Sequence, residues 1–228
     1  MINAGLLGLG WWGKLIIDTL KDSDQIRVTS ASSRTMEKHK KYLEEKKINA
    51  YATYDQMLEE KNIDAIIICT PNSQHENQLT AAIKAKKQVF CEKPMALSKR
   101  AAENMIRIAD ESNFIIGIGH ERRYDPAIEK LRSIVNDSSF GEKMHIEANW
   151  SHDILASLDN NNWRGSSIEA PAGGMTGTGV HMTDLFLSMF GSVEGLFAQS
   201  SNRVLSFETG DLSTCLLYTS DAADDLLC

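Results

Sequence analysis

Short apolar runs alternate with longer mixed segments over the first half of the chain. The apolar runs predict six strands, at residues 2–7, 26–31, 48–51, 63–69, 88–91 and 114–118. Between them, helical spacing of apolar positions predicts helices at 14–20, 35–47, 53–60, from just after residue 72 to about 86, and 98–110. Strands that alternate with helices favour a parallel sheet with right-handed crossovers. The pattern therefore predicts a doubly wound α/β domain.

The pattern changes after about residue 120. A helix is predicted at 126–135, and residues 143–151 alternate in the way that antiparallel strands do. Residues 153–172 have little periodicity and are rich in Asn, Ser, Gly and Pro, so they are predicted to be a loop. A helix at 179–190 and a strand at 193–200 follow. We expect a second, α+β domain with a largely antiparallel sheet.

Composition excludes several classes of protein. The chain has 228 residues, 42% of them hydrophobic, which is enough for one large or two small cores. A net charge of −7 argues against a nucleic-acid binder. No apolar run approaches the ~20 residues that a membrane helix needs, and no basic-then-apolar leader precedes the first strand. Four cysteines in this length do not make a disulfide framework, so we expect a cytoplasmic protein.

A glycine-rich turn joins the first strand to the first helix. Gly8, Gly10 and Gly13 form a G-x-G-x-x-G. In such a turn the first glycine permits a tight bend, the second lets a pyrophosphate approach the backbone, and the third lets helix and strand pack closely. The N–H groups at the start of the helix then point at the phosphates. We expect a dinucleotide to lie along this turn and to contact Leu9, Trp11 and Trp12 as well as the three glycines.

Five motifs occur in a single order along the chain. They are Gly8-x-Gly10-x-x-Gly13, Thr70-Pro71-Asn72-x-x-His75, Glu92-Lys93-Pro94, Arg123-Tyr124-x-Pro126, and Gly173-Gly174 followed by Val180-His181-x-x-Asp184. This assembly resembles the glucose–fructose oxidoreductase / inositol dehydrogenase / MocA (Gfo/Idh/MocA) family, from residue 2 to about 200. The resemblance implies a Rossmann domain and an NAD(P)-dependent oxidoreductase that acts on a sugar, cyclitol or related polyol. It also implies a homo-oligomer at full length.

The resemblance assigns catalytic and cofactor-binding roles. It implies that Lys93 lies beside the nicotinamide and takes part in proton transfer, and that His181 is the general acid/base. From the residues alone, Lys93 could merely extend to the surface, and His181 could be an ordinary satisfied polar residue. Further cofactor contacts are expected from Thr70, Pro71, Asn72, His75 and Glu92, although a Thr-Pro pair also simply ends a strand.

Substrate contacts are expected from a smaller set of residues. It consists of Tyr124, Trp163, Arg164, Thr178 and His181. The alternatives are a surface loop anchored by Trp163, and an interdomain ion-pair network around residues 120–124. No metal site is expected.

The chain departs from the family four residues before His181. Many members carry an aspartate there, whereas this chain has Gly177. Either Lys93 and His181 suffice, or the hydroxyl of Thr176 or Thr178 contributes, or the chemistry is altered. Asp184 is interpreted as structural. Two rival functions remain: the resemblance also includes proteins that cleave glycosides with tightly held NAD, and the missing aspartate permits dinucleotide binding without catalysis.

The segment after the second strand predicts the choice of cofactor. An acidic residue about twenty positions past the glycine turn normally binds the ribose 2′-hydroxyl of NAD. Here Ser32, Ser33 and Arg34 occupy that place, with no acid among residues 30–35. Arg binds phosphate by paired hydrogen bonds. We therefore predict NADP, with NAD as the alternative.

The C-terminal residues differ in character from the rest. From Cys215 the sequence resembles the translated adapter tails of truncated reading frames, although a natural acidic tail is the alternative. We expect three parts: a dinucleotide-binding domain at 1–120, a truncated substrate and oligomerisation domain at 121–214, and a non-native tail at 215–228.

Overall fold

The computed structural model describes residues 1–157 and 162–219. The chain forms two compact units, the first running from Met1 to Gly119 and the second beginning at His120. No helix in the described ranges is long and apolar enough to cross a membrane.

The first unit is built on six parallel strands. They are β1 (Ile2–Leu7), β2 (Ile26–Ser32), β3 (Asn49–Tyr51), β4 (Ala65–Ile68), β5 (Gln88–Cys91) and β6 (Ile116–Ile118). The helices are α1 (Trp11–Leu20), α2 (Lys40–Lys46), α3 (Tyr54–Leu58), α4 (His75–Lys84) and α5 (Lys99–Ser112). The strand order is β3-β2-β1-β4-β5-β6, with every pair parallel. The predicted doubly wound α/β fold is confirmed.

The side chains of β4 alternate between two separate hydrophobic cores. Ile66 and Ile68 pack in one cluster with Leu79 and Met105, whereas Ile67 packs in a second cluster with Leu6. Successive side chains of a strand point to opposite faces of the sheet. The apolar β-branched run is therefore buried on both faces, as expected for a central parallel strand.

Local capping sets several helix starts. Thr53 and Gln56 form the predicted capping box at the start of α3, and Ser98 accepts from the backbone N–H of Ala101 at the start of α5. Helix α1 begins at Trp11, three residues earlier than predicted. Before α2, residues Met36–His39 form a 3-10 turn instead of a continuous helix.

Among its described residues, the second unit contains two α-helices and one hairpin. They are α6 (Pro126–Val135), α7 (Val180–Phe190), β7 (Val193–Ser201) and β8 (Leu212–Thr219), with β7 and β8 antiparallel. A π-helical turn, Met175–Gly179, leads directly into α7. Residues 154–157 and 163–165 form single 3-10 turns, and part of the predicted loop, 158–161, lies outside the described residues.

The predicted strand at 143–151 is wrong. These residues form no ladder, and most of their side chains are exposed. A strand needs backbone hydrogen bonds to a neighbour, and within the described ranges β7 pairs only with β8. Alternation in the sequence was therefore insufficient because it carries no information on whether a partner edge is present.

Residues 215–219 lie in β8. Cys215 pairs with Ala198, and Thr219 with Val193. Residues 220–228 lie outside the described residues. That the sequence from Cys215 onward is not native stays a prediction.

Candidate functional site

Three chain segments leave the sheet of the first unit at its carboxyl edge. Strand β1 lies beside β4, where Leu7 pairs with Ile68, and β4 lies beside β5, where Ile68 pairs with Cys91. The segments that follow these strands therefore start side by side. Between β1 and β4 the strand order reverses direction, and open α/β sheets bind ligands at this position.

The glycine turn is shaped by backbone contacts. Gly8 has φ +100°, and a Cβ there would lie 2.6 Å from the carbonyl oxygen of Cys69. A Cβ at Gly13 would lie 2.2 Å from the carbonyl oxygen of Gly8. Any larger residue at either position would collide with main chain. Around Gly10, by contrast, no atom lies within 4 Å of an added Cβ.

The residues around Gly10 fit a dinucleotide. Gly10 is the N-cap of α1, and helix geometry leaves the N–H groups of the first turn without intrahelical acceptors. The side chain of Leu9 is buried in the core, so only its backbone is available to a ligand. Trp11 is 66% exposed and packs edge-on against Trp12, with ring centroids 5.1 Å apart. The first-turn N–H groups of α1 therefore lie beside open space at the position where a pyrophosphate is expected.

The end of β2 places Arg34 next to this turn. The N–H of Gly8 donates to the carbonyl oxygen of Ser32 at 2.9 Å, which joins the two segments. Ser32 is buried, Ser33 is half-buried and Arg34 is exposed. An exposed guanidinium at this edge suits an anionic group better than a ribose hydroxyl.

The segment after β4 is tied to the segment after β5 by His75. The His75 side chain is fully buried, with Nδ1 2.9 Å from the carbonyl oxygen of Pro94 and Nε2 3.1 Å from that of Thr70. Both partners are acceptors, so only a protonated imidazole donates to both. The hydroxyl of Thr70 donates to Gln78 at 2.5 Å. Asn72 is also buried. Cofactor contact by His75 stays a prediction, and the observed geometry favours an indirect contribution through the two segments.

Glu92 and Lys93 follow β5. The Glu92 carboxylate packs against Gly119, where a Cβ would lie 2.6 Å from Oε1, and its Oε2 accepts from the backbone N–H of Lys93 at 3.2 Å. Glu92 is 8% exposed, whereas Lys93 is half-buried and precedes a cis peptide bond to Pro94. Glu92 thus fixes the backbone from which Lys93 extends.

Two cysteines flank these segments as core residues. Burial, followed by the charge of Glu92, raises the pKa of Cys91 to about 12. Burial likewise raises the pKa of Cys69 well above its ordinary value. Both thiols are therefore protonated at neutral pH, which argues against a nucleophilic role.

His181 lies in the first turn of α7 in the second unit. It is 4% exposed and stacks on Trp150, with ring centroids 5.9 Å apart and an interplanar angle of 25°. His120 approaches edge-on at 6.2 Å between centroids. The His181 Nε2 atom lies 3.8 Å from Oε1 of Glu121. Aromatic and acidic neighbours therefore surround this imidazole.

Asp184 binds Arg123 by two parallel hydrogen bonds of 2.6 Å. This bond is the main reason why the pKa of Arg123 is raised. The Nδ1 atom of His120 lies 3.6 Å from the same carboxylate. Both arrangements are consistent with the structural interpretation of Asp184, because they join α7 to the start of the unit.

The other residues predicted to contact substrate lie in different surroundings. The Thr178 hydroxyl lies 3.1 Å from Nε2 of His152, whereas Tyr124 is 74% exposed. The Arg164 guanidinium stacks on Trp163 at 4.3 Å, and burial lowers its pKa. Trp163 lines a cavity of about 190 Å³ with Phe207. The site roles of these residues stay predictions.

Sequence reasoning missed the partners of His181. Trp150 was placed in a strand, and Glu121 was interpreted only as part of a polar cluster. Neither residue lies near His181 in sequence, so spacing carries no signal for them. Among the described residues, no group of three or more His, Cys, Asp or Glu side chains is arranged to hold a metal ion.

Comparison with known proteins identifies the family. Residues 2–120 match the GFO/IDH/MocA family, described as an oxidoreductase family with an NAD-binding Rossmann fold, and residues 128–224 match the GFO/IDH/MocA C-terminal domain. The chain belongs to the GFO/IDH/MocA family. This confirms the resemblance found in the sequence. The C-terminal match also extends across β8.

Two curated family relatives carry dehydrogenase names. Myo-inositol 2-dehydrogenase of Thermotoga maritima is 30% identical over 146 residues, which cover 64% of this chain and 43% of that protein. D-xylose 1-dehydrogenase [NADP(+)] of Haloarcula marismortui is 26% identical, covering 72% of this chain and 47% of that protein. The chain thus spans about half the length of these GFO/IDH/MocA relatives.

Solved structures agree with this fold. A putative NADPH-dependent oxidoreductase from Desulfitobacterium hafniense aligns with a TM-score of 0.90 at 26% identity, over 97% of this chain and 64% of that one. GenD2 from gentamicin A biosynthesis, in complex with NAD, aligns with a TM-score of 0.85 at 19% identity, over 97% and 63% of the two chains.

Proposed function

We propose that this protein is an NAD(P)-dependent oxidoreductase that transfers a hydride to or from the carbinol carbon of a sugar, cyclitol or related polyol. The observation that carries the proposal is the position of Glu92-Lys93-Pro94 at the same edge of the sheet as the glycine turn. Lys93 is half-buried, and its backbone N–H is bound by the buried Glu92 carboxylate. Such a lysine is suited to contact a substrate oxygen near a bound dinucleotide. The family membership and the names of the two curated relatives support the substrate class.

The roles of the chain's own residues follow from their surroundings. The backbone around Gly10 binds phosphates, and Lys93 orients the reacting hydroxyl or carbonyl oxygen. His181 exchanges the hydroxyl proton, because an imidazole changes its charge near working pH. When bound, the nicotinamide supplies or accepts the hydride. Thr70 and Asn72 are proposed to line its binding segment.

NADP(H) is the proposed cofactor, with NAD(H) as the alternative. Arg34 is exposed at the end of β2, beside the glycine turn. Its guanidinium can bind a 2′-phosphate with two hydrogen bonds, whereas a carboxylate there would repel it. The Haloarcula relative is named for NADP(+), while GenD2, which shares the fold, was solved in complex with NAD.

A reaction without net oxidation is the second candidate. One relative, 28% identical over 62% of this chain and 38% of that protein, is named 2,7-anhydro-N-acetylneuraminate hydratase, from Escherichia coli. This name indicates that proteins similar to the chain include a non-dehydrogenase. Transient oxidation with tightly held cofactor, as in glycoside cleavage, would leave NAD(P)H unchanged after turnover. Dinucleotide binding without catalysis is the third possibility.

A substrate screen on full-length protein tests the proposal. Sugars and polyols, with myo-inositol and D-xylose among them, are assayed with NAD⁺ and NADP⁺ by absorbance of the reduced cofactor. Lys93→Met and His181→Ala should each lower turnover about 10²–10⁴-fold while cofactor binding survives. Product formation without NAD(P)H change would favour the second candidate. Normal turnover by His181→Ala across the pH range would contradict the assigned role. Light scattering on the same sample tests the expected homo-oligomer.

A further inference from the structure

Two histidine–glutamate pairs in the second unit have the same separation but different surroundings. His181 Nε2 lies 3.8 Å from Glu121 Oε1, and His145 Nε2 lies 3.8 Å from Glu147 Oε1. The His181 side chain is 5% exposed and the Glu121 side chain 41%. In the other pair, the side chain of His145 is 73% exposed and that of Glu147 is 88% exposed. Water screens the exposed pair, so the same distance has a larger effect at His181.

We propose that Glu121 is the positioning residue of His181: its carboxylate faces the imidazole and favours the protonated ring. The proposal rests on the proposed function, because it takes His181 as the proton-exchanging group. At 3.8 Å the contact is too long for a hydrogen bond, and it becomes an ion pair when the imidazole is protonated. An opposite charge at this distance favours the charged form of a titrating group.

The neighbours of the pair hold both partners. Trp150 stacks on the His181 ring and fixes its plane. Arg122 contacts Glu121 Oε1 through Nε at 3.5 Å and lies over the Trp150 ring at 5.1 Å. The same carboxylate oxygen therefore faces a guanidinium and an imidazole. Arg122 fixes the carboxylate in place and competes with His181 for its charge.

The other acidic group of this cluster is engaged elsewhere. Asp184 accepts two hydrogen bonds from Arg123 and lies 3.6 Å from His120 Nδ1. The charged and titratable groups described next to His181 are Glu121 on the preceding segment, His120 edge-on, and Arg122 beyond Trp150. Of these only Glu121 carries a negative charge.

Gly177 offers a way to separate charge from structure. It lies in the π-helical turn about one helical turn before His181, and a Cβ there would have no atom within 4 Å. An aspartate therefore fits at this position. In a Glu121→Gln background, Gly177→Asp returns a carboxylate to the neighbourhood of His181 from a different backbone segment.

Imidazole titration by NMR on the 228-residue chain is the first test, and it requires no turnover. In Glu121→Gln, the His181 ring should titrate at a midpoint about one pH unit lower than in the native chain. The matched control Glu147→Gln, at the exposed pair, should leave the His181 midpoint unchanged. Adding Gly177→Asp to Glu121→Gln should move the midpoint back up. An unchanged midpoint in Glu121→Gln, or an equal fall in Glu147→Gln, would overturn the proposal.

The pH dependence of turnover on full-length protein is the second test. Glu121→Gln should shift the limb assigned to His181 to lower pH by the same amount as in the NMR titration and change kcat more than KM. The variant His181→Ala separates a failure of the proposed function from a failure of the positioning role of Glu121. If His181→Ala keeps normal turnover, the proposed function fails while the NMR result on Glu121 still stands. If His181→Ala is inactive but Glu121→Gln has a native pH profile, only the positioning role is rejected.

Discussion

The Nδ1 atom of His75 lies 2.9 Å from the carbonyl oxygen of Pro94, and His75 itself is fully buried. Through its other ring nitrogen the same imidazole reaches the carbonyl oxygen of Thr70. A single buried side chain thus joins the segments that follow two neighbouring strands. Both segments are the ones proposed to line the cofactor.

Replacing His75 by Phe should therefore weaken cofactor binding as well as stability. Phe fills the space but makes neither polar contact, and leaving buried acceptors without a donor costs about 1–3 kcal/mol. We expect a lower free energy of unfolding in urea and a raised Kd for NADPH in a fluorescence titration. His145→Phe, at a histidine whose side chain is 73% exposed, is the control. Native NADPH affinity in His75→Phe would show that the segments do not depend on this residue.

Gly10→Ala and Gly13→Ala should fail in different ways. A methyl group at Gly13 meets backbone 2.2 Å away, so this variant should be strongly destabilised. A methyl group at Gly10 meets nothing within 4 Å, so the fold should persist while the methyl occupies space needed by a pyrophosphate. Thermal unfolding and NADPH titration on both variants measure the contrast. A stable Gly10→Ala chain that binds NADPH normally would contradict the proposed cradle.

Arg34→Ala should reverse or remove the cofactor preference. A hydrogen bond to a charged group contributes about 1.5–3 kcal/mol, which corresponds to about a tenfold or larger rise in the Kd of NADPH. The Kd of NADH should change little, because it has no 2′-phosphate. The control is Lys38→Ala, one turn further along the chain, which removes the same positive charge as Arg34→Ala. Tighter binding of NADH than of NADPH by the native chain would reject the predicted preference.

Cys69 and Cys91 should resist alkylation of the native chain. Since only thiolates react and burial raises the pKa of both groups, each thiol stays protonated at pH 8. For Cys91 the thiolate would form only near its pKa of about 12. Peptide mass spectrometry after iodoacetamide treatment should find both unmodified, with Cys215, half-buried in β8, as the internal comparison. In urea all should react. Rapid labelling of Cys91 in the folded chain would contradict this assignment.

Deleting residues 215–228 tests the predicted non-native tail. The first unit has its own core, so the shortened chain should bind NADPH with native affinity. The deletion also removes Cys215–Thr219, which pair with β7, so that strand should become more prone to association. Size-exclusion chromatography and NADPH titration measure the two effects. A fully active, monomeric 228-residue chain that loses activity on deletion would reject the prediction.

Local signals explain what the sequence predicted well. The capping box of Thr53 and Gln56 is made of neighbouring residues, and so is the cap that Ser98 gives α5. The run Ile66-Ile67-Ile68 identifies a strand buried on both faces because its neighbours in the chain provide no polar alternation. The glycine turn likewise follows from spacing alone. Each of these features is fixed within a few residues.

Features that depend on distant partners escaped prediction. The contact of Glu121 with His181 joins the start of the second unit to α7, and no pattern around either residue indicates the other. Trp150 shows the same limitation, because its alternating neighbours suggested a strand while its ring in fact stacks on His181. The bridge made by His75 could not be seen either, since it depends on two strand ends meeting in the sheet. Sequence spacing thus predicted the scaffold better than the side-chain contacts.

The strand order has a consequence for synthesis of the chain. On one side β1 pairs with β2, whose last residue is Ser32. On the other side β1 pairs with β4, so the partner of Leu7, Ile68, is synthesised much later. Translation adds residues at about 5–20 per second. During that interval the second edge of β1 is unpaired, and the apolar face around Leu7 is not yet covered. The nascent chain can therefore pair wrongly along this edge of β1 until residue 68 has left the ribosome.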